Sequence, residues 1–310
     1  MVHSKLGKPW LVVICLLCVY VIWGTTYYAL KVGLEGVSPY FLIGTRFLVA
    51  GGLAMGWLCL RGERLPTARQ WRGAALLAFL LLVVSMGNVT VAEKWVSSGA
   101  TVALISLVPL VVTLWSIAFG SRPRALEWTA IVLGAAGTCV MVMGEDLRAR
   151  PLGTVLLLIA ITSWSLGTVL SRRIETPPGA MGFAAEMLAG GTMALLVSLV
   201  WREPWNFAPP ARVWWAWSYL VVFGSLIAFS AYRYLVDQVS PTLATSYAYI
   251  NPVVGLLVGW GMGNERFSLN VLLGLPVVLA SVAALGWAQF RRPATDPEPP
   301  ERCLQPSDAS

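Results

Sequence analysis

Two charged residues lie deep inside apolar sequence, Arg46 and Glu186. A charge in hydrocarbon costs about 2.5 kcal/mol or more, so such groups usually face the protein interior and often carry function. Glu186 is the acidic residue placed within a span to take up and release a proton; its alternative reading is a hydrogen-bonded packing residue. Arg46 reads either as a gating charge or as a donor to helix carbonyls. A direct pairing of the two needs a helix tilt or a snorkelling arginine, because they sit at different depths. Most other chemistry is excluded. The single histidine is His3, in the polar N-terminal segment, so neither a Ser-His-Asp arrangement nor a histidine metal site can form within the apolar regions. Of the five cysteines, Cys15, Cys18, Cys59 and Cys139 lie in apolar runs and read as small hydrophobes. No catalytic residue, metal site or cofactor is expected.

Polar and aromatic residues form faces at helical spacing. Trp23, Thr26 and Tyr27 share one face, and Trp164 starts a similar one with Gly167 and Thr168. Asn88 lines up with Ser85, and Thr245, Ser246 and Tyr249 fall on one arc with Thr242. A single stripe of this kind reads as glue between helices. Four stripes spread over both halves of the chain predict a substrate cavity bounded by Trp23, Thr26, Tyr27, Asn88, Trp164, Thr245, Ser246 and Tyr249. Aromatic rings beside amide and hydroxyl groups suit an amphipathic or aromatic ligand, and a ring face can also hold a cation. Pro109 and Pro252 fall in the middle of apolar runs, where each removes a helix hydrogen bond and predicts a kink. Such kinks serve either gating or passive shape.

The elements that must position these residues follow from composition. Hydrophobic residues are 57% of the chain and charged residues 12%, with a mean hydropathy of +0.71. A soluble domain carries about 25% charge. The composition is that of an all-α polytopic membrane protein. Ten apolar stretches approach the roughly 20 residues that cross a bilayer, from Trp10–Leu30 to Ser268–Phe290, the fifth (Trp128–Gly144) being the shortest. With residues 1–9 placed in the cytoplasm, fourteen Lys and Arg fall on the inner side and seven on the outer, with Arg46 inside a span. That bias predicts both termini in the cytoplasm. The net charge of +7 is then a topology signal and calls for no nucleic-acid partner. Residues 291–310, rich in proline and acid, read as a disordered cytoplasmic tail.

The halves align weakly on themselves. An offset of 143 brings Pro109 onto Pro252, an offset of 141 brings Trp23 onto Trp164, and an offset of 140 brings Gly51 onto Gly191. Two units are expected, residues 10–144 and 151–290, each of five helices. Five is odd, so the second unit enters the membrane upside down. Inverted repeats are a recurrent plan of secondary transporters, with the substrate site between the halves.

The first half carries W-G-T-T-Y-Y-A-L-K (Trp23–Lys31), Arg46-Phe47 and A-E-K-W-V-S-S-G-A (Ala92–Ala100). The second carries G-S-L-I-A-F-S-A-Y (Gly224–Tyr232), V-S-P-T-L-A-T-S-Y-A-Y-I-N-P-V-V (Val239–Val254) and G-N-E-R (Gly263–Arg266). Over essentially residues 10–290 the chain resembles the EamA family of the drug/metabolite transporter superfamily, closest to its YedA-like inner-membrane exporters. The loop G-S-R-P-R (Gly120–Arg124) departs from the fuller acidic-basic motif of the family. The resemblance implies ten helices in two inverted five-helix repeats around a central cavity. It also implies export of small metabolites, amino acids or drugs across a bacterial inner membrane. The partners are then a small-molecule substrate, the lipid bilayer and protons as a coupling ion, with the oligomeric state open. An integral membrane enzyme acting on a lipid-linked substrate is the alternative, but the loops lack the clustered Asp, His or Lys it would need. No G-x-x-x-x-G-K-[ST] motif occurs, which disfavours ATP-driven transport by this chain alone.

Overall fold

The structure is a computed structural model that describes residues 9–120, 125–144, 150–238 and 247–290. Regular structure among the described residues is helical, with no strand. The helices are α1 (Pro9–Gly33), α2 (Pro39–Leu60), α3 (Ala68–Ala92), α4 (Ser98–Ala118), α5 (Ala125–Val142), α6 (Pro151–Leu170) and α7 (Gly179–Val200). Next comes α8, continuous through Ala211–Tyr219, Leu220–Ile227 and Ala228–Gln238, followed by α9 (Tyr247–Gly261) and α10 (Leu269–Phe290). Helices α1 to α8 supply 8 segments long and apolar enough to cross a membrane. The apolar parts found in α9 and α10, Ile250–Gly261 and Leu269–Ala284, are shorter. Among the described residues, eight of the ten stretches expected from sequence thus meet both length and apolarity, and α10 spans 22 residues.

Local chemistry sets the helix ends. Pro39 and Pro151 occupy first turns, where a missing N–H leaves no bond unmade. Thr67 and Gln70 form a reciprocal capping box at the start of α3. Helix α2 ends where Leu58 O accepts from Glu63 N at 3.0 Å and Cys59 O from Gly62 N at 2.9 Å. The left-handed φ of 85° that this requires falls on Gly62. At an offset of 140 residues, α7 ends the same way. Ser198 O accepts from Glu203 N at 2.9 Å and Leu199 O from Arg202 N at 3.0 Å, with Arg202 at φ 52°. A second feature also recurs. Helix α3 widens to π geometry over Phe79–Met86, and α8 does so over Leu220–Ile227, 141 residues on.

Pro109 departs from the expected mid-helix kink. Helix α4 consists of Ser98–Ile105 and Val108–Ala118, with a break at Ser106 and Leu107. Pro109 lies in the first turn of the second piece, where it lacks no bonded N–H. Pro252 does lie inside α9.

Close glycine contacts lock α2 to α7 and α5 to α10. A Cβ on Gly51 would lie 2.9 Å from Leu188 N and 3.0 Å from Ala184 O. A Cβ on Gly191 would lie 2.7 Å from Leu48 N and 2.9 Å from Gly44 O. Gly137 and Gly274 face each other likewise, a Cβ on either meeting the other's carbonyl within 3.0 Å. Contacts that pair 48 with 191 and 51 with 188 run in opposite senses, so α2 and α7 are antiparallel. Helix α3 packs on α6, and α8 on α1; α4 packs on α6, and α9 on α1. Exchanging the halves maps each of these pairs onto the other. One core cluster fills the space around α4, α6 and α10, and another the space around α2, α7 and α8.

Neighbouring glycines on α2 give a direct test of the tight crossing. Gly51→Val forces side-chain atoms into the α7 backbone and is expected to destabilise the fold by about 1–3 kcal/mol. Gly52→Ala, with nothing within 4 Å of its Cβ, should leave the midpoint unchanged. Thermal unfolding in detergent reads both, and equal effects would refute the assigned faces.

Candidate functional site

Arg46, from α2, is buried against the π-helical segment of α8. Its Nε donates to Ser225 Oγ at 2.9 Å, and its guanidinium carbon lies 5.0 Å from the centre of the Phe47 ring. Nη2 runs beside Gly224, where a Cβ would sit 3.0 Å from it and 3.1 Å from Thr26 Cγ2. Nη1 is buried without a hydrogen-bond partner among the described residues. Trp23, from α1, reaches the same point and donates its indole N–H to Gly224 O at 3.3 Å. A carbonyl in a π-widened turn can accept from outside the helix, and glycine keeps the approach clear.

A layer of rings continues from there. The Trp23 ring lies 5.2 Å from Phe229, 5.3 Å from Tyr232 and 4.9 Å from Tyr247, centre to centre. Phe183, on α7, lies 5.5 Å from Phe229. Glu186 stands three residues after Phe183, on the same face of α7. It is partly buried and makes no ion pair or hydrogen bond among the described residues. Arg46 bonds to Ser225, and no Arg46–Glu186 pair occurs among the described residues.

Trp23, Thr26 and Arg46 thus come together around Gly224 and Ser225. Thr26 Oγ1 donates to Trp23 O at 2.6 Å and Asn88 Nδ2 to Val84 O at 2.8 Å, so each makes a bond within its own helix. Tyr27 packs on the core cluster around α4 and α6. Trp164 lies on α6, its carbonyl accepting from Thr168 Oγ1 at 2.8 Å. Thr245 and Ser246 lie outside the described residues, as does the side chain of Tyr249. A groove of about 370 Å³ between α3 and α6, lined by apolar residues such as Leu80, Val155 and Ile159, contains none of the site residues.

A second polar cluster was not expected from the sequence as a site. At the end of α1, Lys31 Nζ pairs with Glu265 Oε1 at 2.7 Å. Glu265 also accepts from Ser98 N at 3.1 Å, from Ser98 Oγ and from Gly99 N at 3.2 Å, at the start of α4. Burial alone would raise the pKa of Glu265, but the Lys31 ammonium and the donors of Ser98 and Gly99 outweigh it and hold the carboxyl below the usual range. Glu93, one residue past α3, is buried nearby. The A-E-K-W and G-N-E-R strings carried both acids, but their spacing alone does not bring them together.

The model of the EamA-like transporter family matches this chain twice, over residues 10–143 and 151–287. The chain belongs to the EamA-like transporter family. YedA of Escherichia coli (strain K12), described as an uncharacterized inner membrane transporter, is 42% identical over 90% of this chain and 92% of its own. YoaV of Bacillus subtilis (strain 168), described as an uncharacterized transporter, is 23% identical over 87% of this chain and 95% of its own. A solved crystal structure, 20% identical, superposes with a TM-score of 0.65 over 90% of this chain and 99% of its own, a likeness of fold. This EamA-like protein is a membrane protein with a general transporter role.

The Glu265 tie makes stability depend on pH with a defined sign. A carboxyl whose folded pKa is depressed contributes stability that is present above its unfolded pKa, about 4.3 for glutamate, and is lost as pH falls through the folded value. The transporter should therefore lose thermal stability on acidification below about pH 4, and Glu265→Gln should flatten that limb. An unaltered acid limb in the variant would remove Glu265 as its source.

Proposed function

We propose that this protein is a secondary transporter that exports small amphipathic metabolites, amino acids or drugs across the inner membrane by alternating access. Its ten helices form two inverted five-helix repeats around a central cavity. The observation that carries the reading is the junction at Gly224 and Ser225, where Trp23 and Arg46 from one half meet a π-helical segment of the other. A carrier needs its binding groups on both moving halves, so that changing their relation opens one side and closes the other. The inverted arrangement is supported by the twofold family match, by the π segments 141 residues apart and by the antiparallel packing of α2 on α7. The inner membrane location is supported by the relation to YedA.

In this reading Trp23 and Thr26 bind cargo together with Tyr27, Asn88, Trp164, Thr245, Ser246 and Tyr249. The rings hold an apolar body. Arg46, with one buried donor unpartnered among the described residues, suits an anionic group on the cargo. Pro109, at the break in α4, and Pro252, inside α9, mark places where the halves bend. Glu186 couples export to proton entry, supported by its place beside the ring layer and by the lack of a described partner.

Proteoliposome transport with a panel of amino acids and amphipathic drugs, with and without a pH gradient, tests the reading. The parent should accumulate at least one cargo under the gradient. Trp23→Ala should weaken half-saturation about tenfold, as expected for losing an aromatic contact of roughly 1.4 kcal/mol. Glu186→Gln should keep exchange but lose gradient-driven accumulation; full accumulation in that variant would end the proton role of Glu186.

The expected orientation has both termini in the cytoplasm, from the excess of Lys and Arg on that side. Single cysteines placed in residues 61–67 of a cysteine-free parent should resist a membrane-impermeant thiol reagent in intact cells. Labelling from outside would reverse the orientation.

A further inference from the structure

Glu93 is a buried acid. It is 2% exposed, and neither carboxyl oxygen has a hydrogen-bond partner among the described residues. Buried polar groups are nearly always paired, and an ionised carboxylate without a partner costs several kcal/mol. Among the described residues, few groups face it. Lys31 and Tyr27 stand within electrostatic reach from α1, and Glu265 from the turn between α9 and α10. Lys94, Arg150 and Arg266, the described cations on neighbouring stretches, are exposed to solvent. Glu145, Asp146 and Arg148 lie outside the described residues. Lys31 is therefore the described cation that can answer a charge on Glu93, and it is already spent on Glu265 at 2.7 Å.

We propose that Glu93 is a proton-binding group whose charge competes with Glu265 for Lys31. With the proton on, Glu93 is neutral and Lys31 stays on Glu265, tying the end of α1 to the α9–α10 turn and the start of α4. With the proton off, the buried carboxylate draws Lys31 away. Glu265 can release it, because the donors of Ser98 and Gly99 remain. Proton release then loosens the contact between the halves at this end of the bundle. Burial favours the neutral form of Glu93, Lys31 opposes that and Glu265 reinforces it, with a net pKa well above the ordinary carboxylate range.

Infrared difference spectra of the full chain in liposomes across a pH series read the proton directly, with no cargo, so failure here leaves the transport reading standing and the reverse also holds. A protonated-carboxyl band should vanish as pH rises, with a midpoint well above about 4.3. Glu186→Gln should keep that band and Glu93→Gln should lack it. Lys31→Met should raise the midpoint by about one unit or more, and Glu265→Gln should lower it. A band unchanged in Glu93→Gln overturns the proton site, and a midpoint unmoved by Lys31→Met overturns the competition. Should Glu93→Gln fail to fold, shifts of opposite sign in the other two variants support the proposal, and shifts of one sign or none refute it.

Discussion

Lipid offers helices no hydrophobic reason to associate, since a leucine is as well solvated by acyl chains as by another leucine. Attraction must come from dense contact, and dense contact requires small residues where backbones cross. Gly51 and Gly191 meet this requirement between α2 and α7, and Gly137 and Gly274 between α5 and α10. At each crossing a methyl group would collide with the opposing backbone. These crossings hold one half of the chain to the other, and the remaining helices are arranged around them.

Beside the α2–α7 crossing, α3 and α8 each widen into a π-helical stretch. A π turn shifts the register of all that follows and leaves carbonyls poorly used by their own helix. In α8 such a stretch presents Gly224 O to Trp23 and Ser225 Oγ to Arg46. Helical irregularity, two residues of the first half and two of the second thus meet at one point. The guanidinium is left with an unpartnered buried donor among the described residues, an arrangement that costs stability.

Charge is handled differently at the helix ends. Glu265 is wrapped by Lys31 and by donors at the start of α4. Glu203 serves α2 in the same manner, accepting from Phe41 N at 3.0 Å and from Ser198 Oγ at 2.8 Å. A carboxylate at a helix start meets exposed N–H groups and the positive end of the helix dipole, so each acid closes a helix and bridges the halves. Glu93 sits beside the first of these ties without such donors among the described residues, and that contrast sets it apart.

Composition and apolar run length, by themselves, determined that the chain is helical and membrane-embedded, because every backbone polar group in hydrocarbon must be satisfied within its own segment. The motifs from Trp23 to Arg266 were enough to name the family. The intramembrane charges and Trp23 were legible as unusual residues, since a charge or indole within a span is visible in one dimension. Their partners were not. Arg46 bonds Ser225, 179 residues away, in place of any described bond to the Glu186 that the repeat aligns with it. Thr26 and Asn88, read as cavity-facing, each donate one bond to a carbonyl of their own helix, a partner that spacing does not name. Pro109 starts a helix piece where its position in an apolar run suggested a kink. Glu93 stood in the A-E-K-W string with no mark of its burial, which the tertiary structure alone shows. Periodicity reports the face a residue occupies on its own helix. Which atom meets that face depends on helix crossings, and those are decided by contacts between residues far apart in the chain.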